Sequence, residues 1–168
     1  YPHDKRWKYE NNELFSEKSG IKVIDPKHYL NIIICNLDDG VSGFAQMPCG
    51  VERSDAVIID KDFFYGGRHK DYYGQGKTLV HLVGNFFNLK SLWQKDCQDD
   101  GVLDTPIHNS PNFDCPDYKH ITTCQGNAVE MTMNYMDNTD DECLSLFTKG
   151  QQQRFYATVL IGGPRSGF

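Results

Sequence analysis

The chain has no excess of positive charge. Its 17 Lys and Arg stand against 23 Asp and Glu, a net charge of −6, so it lacks the basic footprint that a nucleic-acid partner needs. It has no long apolar run either. The most apolar stretch, Leu30 to Leu37, is interrupted by Asn31 and Asn36 and is far shorter than the ~20 residues of a membrane-spanning helix. No transmembrane segment is expected in this chain. No Cys-x-x-Cys pair is present, which argues against a zinc ribbon. No internal repeat or low-complexity tract is visible. The chain opens on Tyr1 without a recognisable signal peptide, so a removed leader or a longer parent sequence both stand open.

What is there fits one folded domain, residues 1–168, with a sizeable core. Hydrophobic residues at 39% and charged residues at 24% are ordinary for a globular chain. Fifteen Gly and nine Tyr point to a loop-rich fold with half-buried aromatics. Six Cys are present, at 35, 49, 97, 115, 124 and 143. The last four punctuate a polar, Pro- and Asp-rich stretch that could hardly hold one shape without cross-links. This places the protein in an oxidising compartment: secreted, periplasmic or at the cell surface. Six Cys allow fifteen pairings by sequence alone.

Along the chain, residues 1–20 are polar and mixed in charge, with Trp7 and Phe15 as anchors to a surface, and read as irregular. Residues 21–93 carry a sheet and a helix. The β-branched run Tyr29 to Asn36, bounded by Asp25-Pro26 and Asp38-Asp39-Gly40, predicts a buried strand. Gly43 to Pro48 reads as a short edge piece closed by Pro, and Asp55 to Asp60 as a second buried strand. A Gly- and Tyr-rich loop follows. Leu79, Leu82, Val83, Phe86 and Leu89 then recur at three- and four-residue spacing, predicting a helix from about Gly76 to Leu89. Residues 94–168 show turn chemistry until Thr148, which reads as the N-cap of a final helix ending before Gly162-Gly163-Pro164.

The helix carries the chemistry to be judged. In a zinc peptidase of the H-E-x-x-H-x-x-G-x-x-H type, two His at i and i+4 share a helical face, the Glu activates the metal-bound water, and a third His follows the turn. On that frame this chain keeps His81, but Leu82 stands at the Glu position, Asn85 at the second His and Ser91 at the third. Leu82 can neither accept nor donate a proton, and Asn85 and Ser91 are poor zinc ligands. No zinc is expected here, and no catalytic residue is assigned. His81 reads as a hydrogen-bonded relic. A site rebuilt from His69, His108, His120, Asp71 or Asp137 is the alternative.

Several separated motifs carry a family resemblance. Tyr29 to Leu37 resembles a "YLNIWVCNL" strand, Gly43 to Pro48 a "GYAQFP" segment, and Asp100 to Pro106 a "DxVxDTP" loop. Asn134-Tyr135-Met136-Asp137 resembles the turn that places a Met, here Met136, beneath a metal, and Phe147 to Gln151 resembles "FTxGQ". Together these cover about residues 20–160 in order, and the chain is identified as a member of the pappalysin/cytophagalysin branch of the metzincin metallopeptidases. The resemblance implies an α+β fold: a twisted mixed sheet, an active-site-type helix, and a disulfide-stapled, loop-rich C-terminal half ending in a helix. It also implies interleaved disulfides Cys97–Cys124 and Cys115–Cys143, leaving Cys35 and Cys49 to pair with each other or stay free. Calcium held by Asp99, Asp100, Asp104 and Thr105 is a further implication.

The family's domain has a strand–helix–strand unit ahead of the first strand found here, and the residues before Tyr29 are too few for it. An uncovered sheet edge favours a protein partner. The expected function is therefore a catalytically inactive peptidase homologue serving as a binding or structural subunit of an exported assembly. Its cleft is then either a recognition groove or filled by Leu82, Phe86, Phe87 and Trp93. The alternatives are an active zinc endopeptidase with a non-standard site, and a soluble decoy with an open groove.

Overall fold

The computed structural model describes residues 6–7, 13–16, 21–38, 40–124 and 126–168. Most of the irregular segment read at 1–20 lies outside the described residues. Three strands, β1 (Asn31–Cys35), β2 (Gly43–Ala45) and β3 (Ala56–Asp60), form one mixed sheet in the order β1-β3-β2. β1 runs parallel to β3, with Ile32 opposite Val57 and Ile34 opposite Ile59. β2 runs antiparallel to β3, with Phe44 opposite Ile58. The unbroken apolar sequence of β3 follows from its central place, since a strand covered on both faces has no solvent side on which to alternate. On one face Ala56 and Ile58 join Trp7, Leu14 and Leu37. On the other, Val57 and Ile59 join Leu82, Phe86 and Phe87.

β1 departs from the buried strand predicted. Ile33 and Cys35 pack against the first core, whereas Ile32 and Ile34 are 43% and 48% exposed. The reason is position: β1 is at the end of the strand order, and α2 covers the sheet over β2 and β3. The same order explains why Cys35 and Cys49 are both free thiols. They were expected either to pair across neighbouring strands or to stay free. But β3 lies between β1 and β2, and Cys35 sits at the Asp60 end of β3 while β2 leads toward its Ala56 end.

Helix α1 (Lys70–Tyr73) is a single turn inside the loop read as irregular. Helix α2 (Lys77–Phe86) stops three residues before the predicted Leu89. Asn88 turns left-handed at φ 73, which Asn tolerates better than most residues. The Leu89 and Asn88 N–H groups then close back on the carbonyls of Gly84 and Asn85 at 2.9 and 3.0 Å, the two-bond pattern that ends many helices. Helix α3 (Lys149–Val159) begins at Thr148. The Thr148 hydroxyl accepts from the Gln151 N–H while the Gln151 side chain accepts from the Thr148 N–H, a reciprocal cap. Between α2 and α3 the chain is mostly turns, held by disulfides Cys97–Cys124 and Cys115–Cys143. Among the described residues no helix is long and apolar enough to cross a membrane.

Arg165 ties the C-terminal segment to this core. Its guanidinium forms a two-pronged pair with Asp55 at 2.7 and 2.8 Å and donates to the Gln46 and Phe86 carbonyls at 2.9 and 2.7 Å. It also lies 3.4 Å from the Phe86 ring centroid. One side chain thus joins the ends of β2 and α2 to the start of β3. Removing one member of a buried ion pair strands the other, so Arg165→Ala is expected to destabilise the fold by about 3–5 kcal/mol, measured as a lowered urea midpoint. Arg165→Lys, which loses the fork but keeps the charge, should recover only part of that loss.

Candidate functional site

The site is a cleft between β2 and α2, a cavity of about 350 Å³ whose walls include Gly43 to Ala45, Tyr73, Lys77, His81, Leu82, Asn85, Ser91, Trp93 and the segment around Asp137 and Asp141. It is open. Of the four apolar residues expected to fill it, Phe86 and Phe87 turn into the core behind α2, while Leu82 and Trp93 form part of its wall. Gly43 permits the close approach of its two sides: a Cβ there would lie 2.5 Å from Leu82 Cδ1 and 2.6 Å from the Ile58 carbonyl oxygen. Leu82, at the position of a general base, instead packs against the β-sheet at Gly43.

Helix α2 is pressed onto the turn Asn134–Asp137. A Cβ on Gly84 would sit 2.6 Å from Met136 Sδ, so Gly84 is what lets the helix rest on that turn. Met136 is fully buried beside Leu89 and Leu92. The turn is held by the Asn134 side chain, which accepts from the Met136 N–H at 2.9 Å and exchanges hydrogen bonds with Gln151 at 2.8 and 3.1 Å.

Above this turn, His81 Nδ1 lies 3.1 Å from the Asp137 carbonyl oxygen and Nε2 lies 3.2 Å from Ser91 Oγ. A carbonyl only accepts, so Nδ1 carries the proton and Nε2 takes the Ser91 hydroxyl hydrogen. That leaves the lone pair of Nε2, the one that would bind a metal, engaged by Ser91. The Asn85 side-chain N–H₂ donates to the Leu89 carbonyl at 2.9 Å, so it serves the end of its own helix. One imidazole with an engaged nitrogen, an amide bonded to the Leu89 carbonyl and a leucine do not fit a catalytic zinc ion, which needs three protein ligands and a base.

The residues considered for a rebuilt site do not converge on His81. His108 is fully buried with its Nε2 accepting from the Met131 N–H at 2.9 Å and its Nδ1 3.4 Å from Asp137 Oδ2. Asn112 Nδ2 bridges Glu130 and Asp137 beside it, at 2.7 and 2.9 Å. His120 approaches Glu130 at 3.7 Å, and His69 stacks on Phe63 at 4.4 Å. Asp137 serves this polar network through its carboxylate and His81 through its carbonyl. Asp71 lies in α1 and is exposed.

The four residues expected around calcium are engaged in turns and caps. Asp100 accepts from the Val102 N–H at 3.0 Å and from the Thr105 hydroxyl at 2.9 Å, and Asp99 from the Gly101 N–H. Asp104 accepts from the Thr148 hydroxyl at 2.7 Å and the Gly150 N–H at 2.9 Å. It thus places a carboxylate at the start of α3, where the helix dipole favours it, and these bonds hold its pKa below the usual range. Among the described residues, the one grouping of His, Cys, Asp or Glu ligand atoms close enough to share an ion is Cys115, Glu142 and Cys143. Its two sulfurs are joined in a disulfide.

Two residues that sequence reasoning passed over hold the mouth of α2. Asp141 Oδ2 accepts from the Gln75 and Lys77 N–H groups at 2.8 and 3.2 Å. Lys77 Nζ donates to the Asp141 and Leu144 carbonyls at 2.5 and 2.7 Å. The α2 N-cap is Gly76, which has no side chain to serve; that gap was the available signal.

Desolvation in this site holds the His81 pKa below its ordinary value, against the opposing pull of the Asp137 and Tyr135 carbonyls. A depressed folded pKa means the unfolded chain takes the proton first. The stabilisation that depends on neutral His81 is then complete above pH ~6.5 and is lost as pH falls through the folded value. Urea midpoints of the wild type should drop over that interval, and those of His81→Gln should drop less. A midpoint difference that grows as pH falls would contradict the assignment.

The peptidase family M43 model, described as pregnancy-associated plasma protein-A, matches residues 15–160. An extracellular metalloprotease of Arthroderma gypseum is 34% identical over 128 residues, covering 70% of this chain and 43% of that relative. Extracellular metalloprotease 1 of Coccidioides posadasii is 40% identical over 84 residues, 49% of this chain and 30% of that relative. This chain thus spans less than half the length of these curated relatives. Mature mirolysin of Tannerella forsythia, solved in complex with a cleaved peptide, superposes with a TM-score of 0.87 at 32% identity, covering 96% of this chain and 64% of mirolysin. The fold is the α+β metzincin-like domain, and the chain belongs to the pappalysin family of metallopeptidases.

Proposed function

We propose that this protein is a non-hydrolytic member of its family, an exported protein that holds extended polypeptide in its cleft as a binding or structural component of a larger assembly. The observation carrying this reading is the His81–Ser91 hydrogen bond: the nitrogen that would hold zinc is engaged, with Leu82 at the base position beside it. The open cleft favours a groove that still takes a ligand over one closed by its own side chains.

The chemistry of the rim suggests the ligand. The Asp60 N–H bonds the Ser42 carbonyl at 2.9 Å and the Gln46 N–H bonds the Ala56 carbonyl at 3.0 Å. Antiparallel ladders alternate, so the intervening Gly43 and Ala45 direct their backbone groups away from β3, toward the cleft they line. An extended peptide could add there as a further strand. The peptide seen with mirolysin and the names of the extracellular relatives support a polypeptide ligand and an exported setting. Those names also favour a second reading, a working zinc endopeptidase with an altered site.

Elemental analysis with a peptidase assay separates the two. Purified protein should carry no stoichiometric zinc and show no chelator-sensitive cleavage; finding both would sink the non-hydrolytic reading. Introducing Leu82→Glu, Asn85→His and Ser91→His together should give one zinc per chain, because Gly84, Met136 and the Asp137 carbonyl are already placed. Ligand binding is tested by a panel of extended peptides against wild type and Ala45→Pro. That change removes one outward N–H and should weaken binding about fivefold, the worth of ~1 kcal/mol. Equal binding to both would refute the strand-addition mode.

A further inference from the structure

The Cys115–Cys143 disulfide ties down the segment that carries Asp141 and Leu144 of the cleft wall. Lys77 Nζ grips the chain on either side of Cys143, through the carbonyls of Asp141 and Leu144. The Asp141 carboxylate caps the start of α2 through the Gln75 and Lys77 N–H groups, and both Asp141 and Leu144 line the cleft. Asp141 is 1% exposed, and its second oxygen, Oδ1, is buried with no hydrogen-bond partner among the described residues. A buried carboxylate oxygen without a partner favours release to water. The Asp141 N–H on the Tyr72 carbonyl at 2.8 Å and its bonds to Gln75 and Lys77 oppose that release, and the cross-link two residues away at Cys143 adds a covalent restraint.

We propose that Cys115–Cys143 is a redox latch on the cleft: reducing it frees the 141–144 wall and loosens the first turn of α2, while Cys97–Cys124 stays intact. The difference in access is structural. Cys115 is exposed, whereas Cys124 is 3% exposed and lies in the core. A dithiol is the reductant. Its thiolate attacks Cys115 Sγ, the Sγ–Sγ bond breaks, and Cys143 leaves as a thiolate that takes up a proton. The second thiol of the reductant then displaces Cys115, so two electrons and two protons pass to the cystine and the dithiol becomes its own disulfide.

The surroundings set a threshold for this step. Glu142 Oε1 lies 3.6 Å from Cys115 Sγ, and Asp114 and Asp140 flank the same loop, joined by the Asp140 N–H to the Asp114 carbonyl at 3.0 Å. Burial first, and then the charges of Asp114, Glu142 and Asp141, raise the Asp140 pKa, and these carboxylates make the loop locally negative. That field repels an attacking thiolate, and added salt weakens the repulsion. Accidental reduction is opposed, and a concentrated dithiol is required.

The test is a graded dithiothreitol series on the intact protein, with Cys35 and Cys49 alkylated beforehand. Newly freed Cys are then trapped for mass spectrometry, and amide hydrogen exchange is followed in parallel. Cys115 and Cys143 should be trapped before Cys97 and Cys124. At that stage exchange at Gln75 and Lys77 should rise by at least ~tenfold, while β3 amides stay protected. Simultaneous trapping of all four Cys, or selective reduction with unchanged exchange at Gln75 and Lys77, would overturn the proposal. Cys115→Ser/Cys143→Ser, where it folds, should show the loosened α2 start without reductant; normal protection in that variant would likewise overturn it. The reduction series stands whether or not the variant folds.

Discussion

A helix must find partners for the N–H groups of its first turn and the carbonyls of its last, and helix α2 has no capping side chain of its own at its start. Gly76 contributes nothing there, so Asp141 supplies the acceptor from 64 and 66 residues away. At the other end the Phe86 carbonyl is bonded by Arg165, the Phe87 carbonyl by Thr158 and the Asn88 carbonyl by Arg154. Local bonds add to these, from the Asn88 and Leu89 N–H groups to the Asn85 and Gly84 carbonyls and from the Asn85 side chain to the Leu89 carbonyl. Both ends of the helix therefore depend on the C-terminal half being folded. That half in turn is held by two disulfides and by the Thr148–Gln151 cap. The fold closes on α2.

This dependence explains how the metal-site residues could change while the scaffold stayed. The contacts that position α2 run through backbone carbonyls, through Gly84 against Met136 and through Gly43 against Leu82. None uses a carboxylate at position 82 or an imidazole at 85 or 91. A leucine at 82 adds apolar contact with the sheet, an asparagine at 85 gains the Leu89 carbonyl, and a serine at 91 satisfies His81. Each replacement has a structural partner, and the cleft beside them remains open.

Much of this was legible in the sequence, for identifiable reasons. The β3 strand, the apolar face of α2 and the α3 cap are written in short-range patterns: a continuous β-branched run, three- and four-residue spacing, and a Thr followed three residues on by Gln. The His81, Leu82, Asn85 and Ser91 positions could be read by spacing alone. What could not be read depended on distant partners. The exposure of Ile32 and Ile34 follows from β1 lying at the sheet's edge, and the free Cys35 and Cys49 from β3 coming between β1 and β2. The Asp141 cap, the Arg165 fork and the buried His108–Glu130–Asp137 cluster join segments tens of residues apart. An isolated Asp or Arg in a loop carries no local sign of such a role. Asp104 bonds the start of α3 from 44 and 46 residues away, and an acidic turn shows no local sign of that service.

The account rests on His81 keeping its Nε2 engaged with Ser91. The most direct measurement is a zinc titration followed by ¹⁵N NMR of the His81 ring at neutral pH. The predicted result is a neutral, Nδ1-protonated imidazole whose Nε2 signal does not move as zinc is added. A saturable shift of His81 Nε2 reaching completion at one zinc per chain would contradict the account and restore the case for a metallopeptidase.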